Sequence, residues 1–453
     1  MKNTTYANIN ESTVSTFARS DRWKALPFLI LMLSTSLPLN YKLEPARVWA
    51  VADVAEMTMA AASSGNSMSS NGFVLFLAGL YGGAGWMLLR KPKSVGAVLT
   101  RQWPLLFLML FIATSMLWSY YPEKVVSNIV HNFGVVFIAI AAALRYRHDP
   151  WLFPKHLGYV LGINMMLHVG GVILIPSYTI DWQSRWHGLA TTPNTLGALA
   201  FTTLWVNAVV LICKKSDRYW PHLLFAGLAA VTMIGADSVT SMMCSMVAVL
   251  LIYLFDRFGK MGVGMNFYVS AIIIVSMSAM IVVMAGSAFD FSGLFGMFGR
   301  DANLTGRTSV WEDAFKAISM QPLWGWSFDD HAHLIASKGM PYSSYHNGFL
   351  DLAVSGGAIA VVLLLLLLGT WAMEFTRSSR IGSQIAPLSA SFVIAYLIHN
   401  MSEASFVAPR GQLWQIFLVL LFLSACKKTP LENHDRDRSM HPEASQAPGL
   451  SHA

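Results

Sequence analysis

Charge is what this chain has least of. Asp, Glu, Lys and Arg make up 12% of its 453 residues, about half the ~25% of an ordinary soluble protein. Hydrophobic residues supply 55%, and they come in runs such as Ala358–Leu368 that no water-facing surface could accommodate. A soluble enzyme, a nucleic-acid binder and a disordered scaffold are all excluded. Cysteine is nearly absent too: Cys213, Cys244 and Cys426 lie in or beside apolar runs without paired spacing, which gives neither a disulfide framework nor a zinc motif. There is no P-loop, dinucleotide fingerprint, GxSxG or HExxH, so energy from nucleotide hydrolysis is not expected. The composition describes an all-α, polytopic membrane protein.

Apolar stretches of roughly 17–25 residues predict twelve spans, near 26–41, 72–89, 103–119, 127–144, 157–176, 195–213, 220–236, 239–255, 265–286, 346–369, 385–402 and 411–426. The first has a short core, Leu26–Leu39, interrupted by Ser34, Thr35 and Ser36. A polar segment, 1–25, precedes it, and no small-residue cleavage site follows, so a retained signal-anchor is expected. The organisation is then a cytoplasmic N-terminus (1–25), nine spans (26–286), a long external loop (287–345), three further spans (346–426) and a polar, disordered tail (427–453).

The basic residues test this parity. With both termini inside, 22 of the 31 Lys and Arg residues fall on the inner side, as the positive-inside bias requires. That asymmetry accounts for the net charge of +7 without an anionic partner. Nine cations are left outside: Lys42, Arg47, Lys124, Arg185, Arg300, Arg307, Lys316, Lys338 and Arg410. Each runs against the insertion bias. A functional role competes with a plainer one, a lipid anchor or a solvated charge.

Three external segments carry residues suited to chemistry. In the long loop, Ser309 and Glu312 form a capping-box pattern that predicts a helix start. Trp311, Ala314, Phe315 and Ile318 then share one face of a short amphipathic helix at the membrane–water boundary, which Gln321-Pro322 ends. Arg307 lies two residues before this cap, where helix amides and a guanidinium together favour phosphate; a solvated Arg on an ordinary surface helix is the plainer reading. Further on, Ser343-Ser-Tyr-His346-Asn-Gly-Phe-Leu-Asp351 leads into the tenth span. A neutral imidazole there can accept a proton from an alcohol, or can simply hold a loop-to-helix junction. The third is Arg185-Trp-His-Gly…Pro193-Asn194-Thr-Leu-Gly197, where Pro193 and Asn194 suit a turn and helix start. Asp329-Asp330-His331-Ala-His333 could ligate a metal, but a short polar loop is the commoner meaning. His131, His168 and His399 lie inside apolar spans, while Asp237 and Glu403 stand near span ends.

At these residues the sequence resembles the bacterial O-antigen ligase and polysaccharide polymerase superfamily of membrane glycosyltransferases. The likeness is carried by Arg185-Trp-His-Gly…Pro193-Asn194-Thr-Leu-Gly197, by Gly299-Arg300-Asp…Leu-Thr-Gly-Arg307-Thr-Ser-Val-Trp311 with Pro322-Leu-Trp-Gly325, and by His346-Asn347-Gly-Phe-Leu…Gly356. The middle segment looks most like the exopolysaccharide polymerase branch.

The resemblance implies a GT-C-type fold and an enzyme without a metal or other cofactor, in the bacterial inner membrane with its active site on the periplasmic side. The donor would be an undecaprenyl-diphosphate-linked oligosaccharide and the acceptor a sugar hydroxyl. Arg185 and Arg307 would bind the diphosphate, and His346 would act as base on the acceptor. Arg300, Arg410, Asn347, Asn194 and Trp311 are further substrate-binding candidates. Membrane lipid, a chain-length regulator and export proteins are the expected partners, and nucleic acid is not. Transfer to a lipid A core, as in a ligase, is the sibling reading. A twelve-span transporter would need two six-span halves joined by a substantial link, whereas Lys214–Tyr219 is short.

Overall fold

A computed structural model of the protein describes residues 22–35, 37–39, 43, 71–216, 218–258, 307–340, 342–380 and 385–426. The expected ninth span (265–286), Arg300, the start of the long loop, most of the N-terminal segment and the 427–453 tail lie outside the described residues. Each of the other eleven expected spans coincides with a helix. These are α1 (Leu26–Ser34), α2 (Asn71–Leu89), α4 (Trp103–Thr114), α5 (Pro122–Tyr146), α6 (Leu152–Leu174), α8 (Pro193–Ile212), α9 (Tyr219–Gly235), α10 (Val239–Phe258), α13 (Gly348–Arg380), α14 (Ile385–His399) and α15 (Gln412–Ala425). Between them lie α3 (Pro92–Arg101), α7 (Pro176–Thr179), α11 (Arg307–Met320) and α12 (Ala332–Lys338). Among the described residues, six helices are long and apolar enough to cross a bilayer. Pro92–Arg101 and Trp103–Leu117, bent by 86°, make a seventh if they count as one span.

Three sequence expectations change. α1 stops at Ser34, because the Ser34 and Thr35 hydroxyls bond back to Leu31 O at 2.8 Å each, a local alternative that competes with helix propagation. Buried Asn164 on α6 takes over the freed end, donating to Met32 O at 3.2 Å and Thr35 O at 2.9 Å. The basic stretch between the expected second and third spans, where no helix was expected, forms α3. α13 continues to Arg380, well past the expected end at 369.

At the centre stands α15, every residue of which is buried. It packs against α5, α13 and α14. Its C-terminal carbonyl group on Ala425 accepts from Arg101 Nη1 at 2.7 Å, which satisfies a helix end that lipid could not. Interhelical polar bonds add to the packing, among them Trp205 Nε1 to Ser391 Oγ at 3.0 Å and Trp371 Nε1 to Ser389 Oγ at 2.8 Å. In a bilayer such bonds matter because apolar burial does not distinguish helix from lipid.

One feature of α13 positions everything above it. The helix breaks at Gly357 (φ 59°, ψ −160°), and the segment 322–327 fits into the break. Trp326 N and Ser327 N donate to Val354 O and Ser355 O, both at 2.9 Å. The amides that those carbonyls would bond in an unbroken helix, Ala358 N and Ile359 N, donate instead to Pro322 O (2.8 Å) and Leu323 O (3.3 Å). Each of these two helical bonds is thus replaced by bonds across the junction, which keeps all four backbone groups paired. Glycine is required on both sides. A Cβ on Gly325 (φ 67°) would lie 2.5 Å from Ser355 O, and one on Gly357 would lie 2.3 Å from Leu323 O. A second, smaller core then docks α11 and α12 onto α13 through Trp311, Ala314, Ala317, Trp326, Leu334 and Val354.

α11 corrects its expected details. It begins by Arg307, so Ser309 lies within its first turns rather than capping it. Phe315 is exposed, and the buried face runs through Trp311, Ala314 and Ala317. Gly325→Ala and Gly357→Ala should each lower thermal stability in detergent by on the order of 2 kcal/mol or more, from the left-handed backbone and the backbone clash together. Gly339→Ala (φ 64°), with nothing within reach of a Cβ, should cost less; equal losses at all three would mean the junction is not tight.

Candidate active site

The loop before α13 is built by short-range polar bonds. Asn347 is the helix cap: its Oδ1 accepts from Phe349 N at 3.0 Å and Leu350 N at 3.1 Å, as a side-chain oxygen at that position should. Asp351 in the first turn folds back to accept Tyr345 N at 2.6 Å and Ser344 Oγ at 3.2 Å. Trp311 Nε1 holds Tyr345 O at 3.0 Å. Between these anchors His346 is held in the left-handed region, φ 49°, which costs a non-glycine residue ~1–2 kcal/mol. Its surroundings impose the conformation, which is how strain persists at functional positions.

The consequence is where the ring goes. His346 Nδ1 lies 3.5 Å from Glu403 Oε2, with the imidazole 45% exposed and the carboxylate 16%. The other oxygen of Glu403 accepts from Asn194 Nδ2 at 2.9 Å. Asn194 is there because Thr192 caps α8, accepting Thr195 N at 3.1 Å, and Pro193 starts the helix. Glu403 lies in the turn after α14, which Asn400 ties down by accepting Ser405 N at 2.9 Å and donating to Tyr396 O at 2.9 Å. Two links close the site: Gly348 N to Asn400 O at 2.8 Å and Asn347 Nδ2 to Met401 O at 3.1 Å. Burial, reinforced by Asp351 close by, pushes the neighbouring Tyr345 phenol upward, so that group stays neutral beside the histidine.

Two of the expected residues, His346 and Asn194, therefore meet, from segments 152 positions apart, through a third that the sequence reading left unassigned. Glu403 stood out only as an acidic residue near a span end. The available signal was that an isolated carboxylate in a short external turn, among apolar spans, needs a partner.

The other candidates are dispersed. Arg185 pairs with Asp181, its Nε at 2.9 Å and Nη2 at 2.8 Å from Oδ2. Its loop is pinned by Trp186 N to Gly235 O at 2.8 Å and Leu189 N to His168 Nδ1 at 3.0 Å. Arg307 is the first described residue of α11. Arg410 is exposed at the turn before α15. Trp311 and Asn347 are buried supports beneath the loop. The Asp329–His333 run is divided among separate partners. Asp329 receives Ser119 Oγ and His333 N, Asp330 receives Asn128 Nδ2 at 3.0 Å, and His331 bonds Ser355 Oγ at 3.1 Å. Among the described residues no three His, Cys, Asp or Glu side chains are placed to hold a metal ion.

Comparison with known proteins agrees with the motif resemblance. Residues 224–365 match the O-antigen ligase family, a stretch of about a third of the chain that contains Arg307 and His346. The chain is also 28% identical over 116 residues to the exopolysaccharide production protein ExoQ of Rhizobium meliloti (strain 1021). That similarity covers 23% of this chain and 26% of the relative, so the chain matches about a quarter of that protein's length. Arg185, Asn194, Glu403 and Arg410 lie outside the family match.

The Asn194–Glu403 bond generates a pH-dependent expectation. Asn194→Asp sets two carboxylates against each other, and only one of such a pair ionises readily. Thermal stability should fall by ~1–3 kcal/mol at pH 8 and recover as the pH drops toward 5, where one proton restores the bond. A loss independent of pH would show that the two side chains do not meet.

Proposed function

We propose that this polytopic protein, matched in its centre to the O-antigen ligase family, is a glycosyltransferase that joins an undecaprenyl-diphosphate-linked oligosaccharide to a sugar hydroxyl and so polymerises an exopolysaccharide. The observation that carries the reading is the Asn194–Glu403–His346 chain. With Nδ1 turned toward Glu403, Nε2 is the nitrogen left to take a proton from an acceptor hydroxyl. The carboxylate orients the ring and stabilises its charged form, the role of the third group in base-assisted transfer. As the hydroxyl oxygen bonds to the anomeric carbon, its proton passes to His346. The anomeric C–O bond breaks, and its electron pair leaves with the lipid diphosphate.

The leaving group develops negative charge that fixed guanidinium groups stabilise. Arg307 and Arg185 take that role in this reading. The pairing of Arg185 with Asp181 occupies one side of its planar fork and leaves Nη1 for a phosphate oxygen. Arg300 and Arg410 are secondary ligands.

Membrane orientation follows from the charges. The end of the bundle away from His346 carries Arg90, Lys91, Lys93, Arg101, Arg145, Arg147, Lys155, Lys214, Lys215, Arg218 and Arg377. The positive-inside bias makes that end cytoplasmic. His346 then faces the periplasm, where the lipid-linked donor is delivered, with both termini in the cytoplasm and a chain-length regulator and export proteins as partners. A ligase-type transfer to a lipid A core or other acceptor is the second reading, favoured by the description of the matched family.

The test is the lipid-linked glycan profile of a strain lacking the gene. Single repeat units accumulating on the carrier support a polymerase, and long chains stranded on it support a ligase. An unchanged external profile, with substrate held in the cytoplasm, overturns both and favours a transporter. His346→Ala should lower transfer by ~10²–10⁴-fold while the protein still accumulates in the membrane. Arg307→Lys, which keeps the charge but loses the planar fork, should be severely impaired; wild-type output from either variant contradicts the role given to that residue.

A further inference from the structure

A concavity lies on the same lobe as the His346 loop. It is a cleft of about 690 Å³, within the range of small-molecule sites. One wall is the turn between α4 and α5, with Trp118 and Tyr120; the other is the segment from Gln321 to Lys338, with Trp324, Trp326 and His333. The rings are set at angles to one another. Trp118 and Trp324 meet edge to face at 6.2 Å, Trp326 and His333 edge to face at 5.5 Å, and Tyr120 covers His333 at 3.8 Å. Lys338 Nζ stands over Trp326 at 5.9 Å.

The walls are fastened to each other below the rings. Ser327 Oγ and Phe328 N reach Ser115 Oγ at 3.3 Å, Ser119 Oγ donates to Asp329, and Asn128 Nδ2 donates to Phe328 O at 3.0 Å. The Gly325–Gly357 junction fixes the second wall to α13. The cleft is therefore held open by the fold.

Its chemistry is mixed in a particular way. Flat aromatic faces are combined with polar side chains at the rim, Gln321 and Lys338. An aromatic belt at a membrane surface uses ring surface alone, whereas here the exposed Gln321 and Lys338 side chains stand beside the rings. A saccharide matches both halves. The C–H face of a pyranose stacks on an indole, and its hydroxyls supply donors and acceptors at the ring's edge.

We infer that the Trp118–Trp324–Trp326 cleft binds a segment of saccharide chain, as a site separate from His346, Glu403 and Asn194. The inference rests on the glycosyltransferase reading for its choice of ligand and adds to it a place where glycan is held away from the reacting atoms. Trp324, 54% exposed, is the ring that can be removed without disturbing the core. Trp326 is not, since its Nε1 donates to Ala317 O at 2.9 Å within the small core.

The experiment uses full-length protein in lipid nanodiscs. The probe is a size-fractionated set of oligosaccharides cut from the extracellular polysaccharide of the strain that carries the gene. Binding is followed by equilibrium dialysis and by tryptophan fluorescence. Trp324→Ala should weaken binding by roughly 10-fold or more, as for removal of an aromatic anchor. Trp220→Phe, at the opposite end of the bundle, should bind as wild type does. In transfer assays Trp324→Ala should raise the apparent KM for glycan with little change in kcat. Unchanged binding by Trp324→Ala overturns the cleft and leaves the role of His346 intact. So does an absence of binding to wild type while the deletion strain still accumulates lipid-linked units. Quenching of Trp324 by brominated lipid, with no response to glycan, would make the cleft a membrane anchor and also overturn the inference. A deletion strain with no change in lipid-linked glycan removes the transferase reading itself.

Discussion

The hydrogen bonds exchanged across the break in α13 are the constraint on which the rest depends. A membrane helix cannot leave backbone groups unpaired without a cost of several kcal/mol each, so α13 could open only where another segment supplies the missing donors and acceptors. Pro322–Ser327 does so bond for bond. In return it is fixed against the helix, and with it Trp326, α11 and the loop that ends at His346. A local irregularity in one helix thus becomes the foundation of the lobe built on α11, α12 and the His346 loop.

The candidate active site follows from this foundation by a short chain of contacts. Trp326 and Trp311 lie in one small core; Trp311 holds Tyr345; Tyr345 is bonded to Asp351; and His346 has little conformational choice between Tyr345 and the Asn347 cap. On the other side, the turn after α14 offers Glu403 and the start of α8 offers Asn194. Elements from three parts of the chain converge because α8, α13, α14 and α15 pack as neighbours. The strained backbone at His346 is supported by the surrounding bonds, and in exchange its ring is aimed at a carboxylate.

Much of the architecture was legible beforehand because a bilayer imposes simple rules. Apolar run length marks the helices. The errors have local causes. Ser34 and Thr35 ended α1 early through side-chain bonds to Leu31. Helix α11 begins before its apparent cap, and its buried face passes through Ala317 instead of Phe315, because it packs on α13 rather than presenting its broadest apolar side. The right-angle bend between α3 and α4 carried no signature beyond Pro92 and Pro104.

Composition and pattern by themselves determined that this is a helical membrane protein with a cation-rich end. They also picked out His346 and Asn194 as residues worth watching, since polar groups beside long apolar runs are few and conspicuous. Only the tertiary structure decided that these two meet through Glu403, that Arg185 is engaged by Asp181, and that aromatic residues from two distant segments form one cleft. The physical reason is that periodicity and charge bias report how each residue relates to the membrane. Which side chains come within hydrogen-bonding distance depends on helix packing and on the single break in α13, and neither is encoded in any one segment.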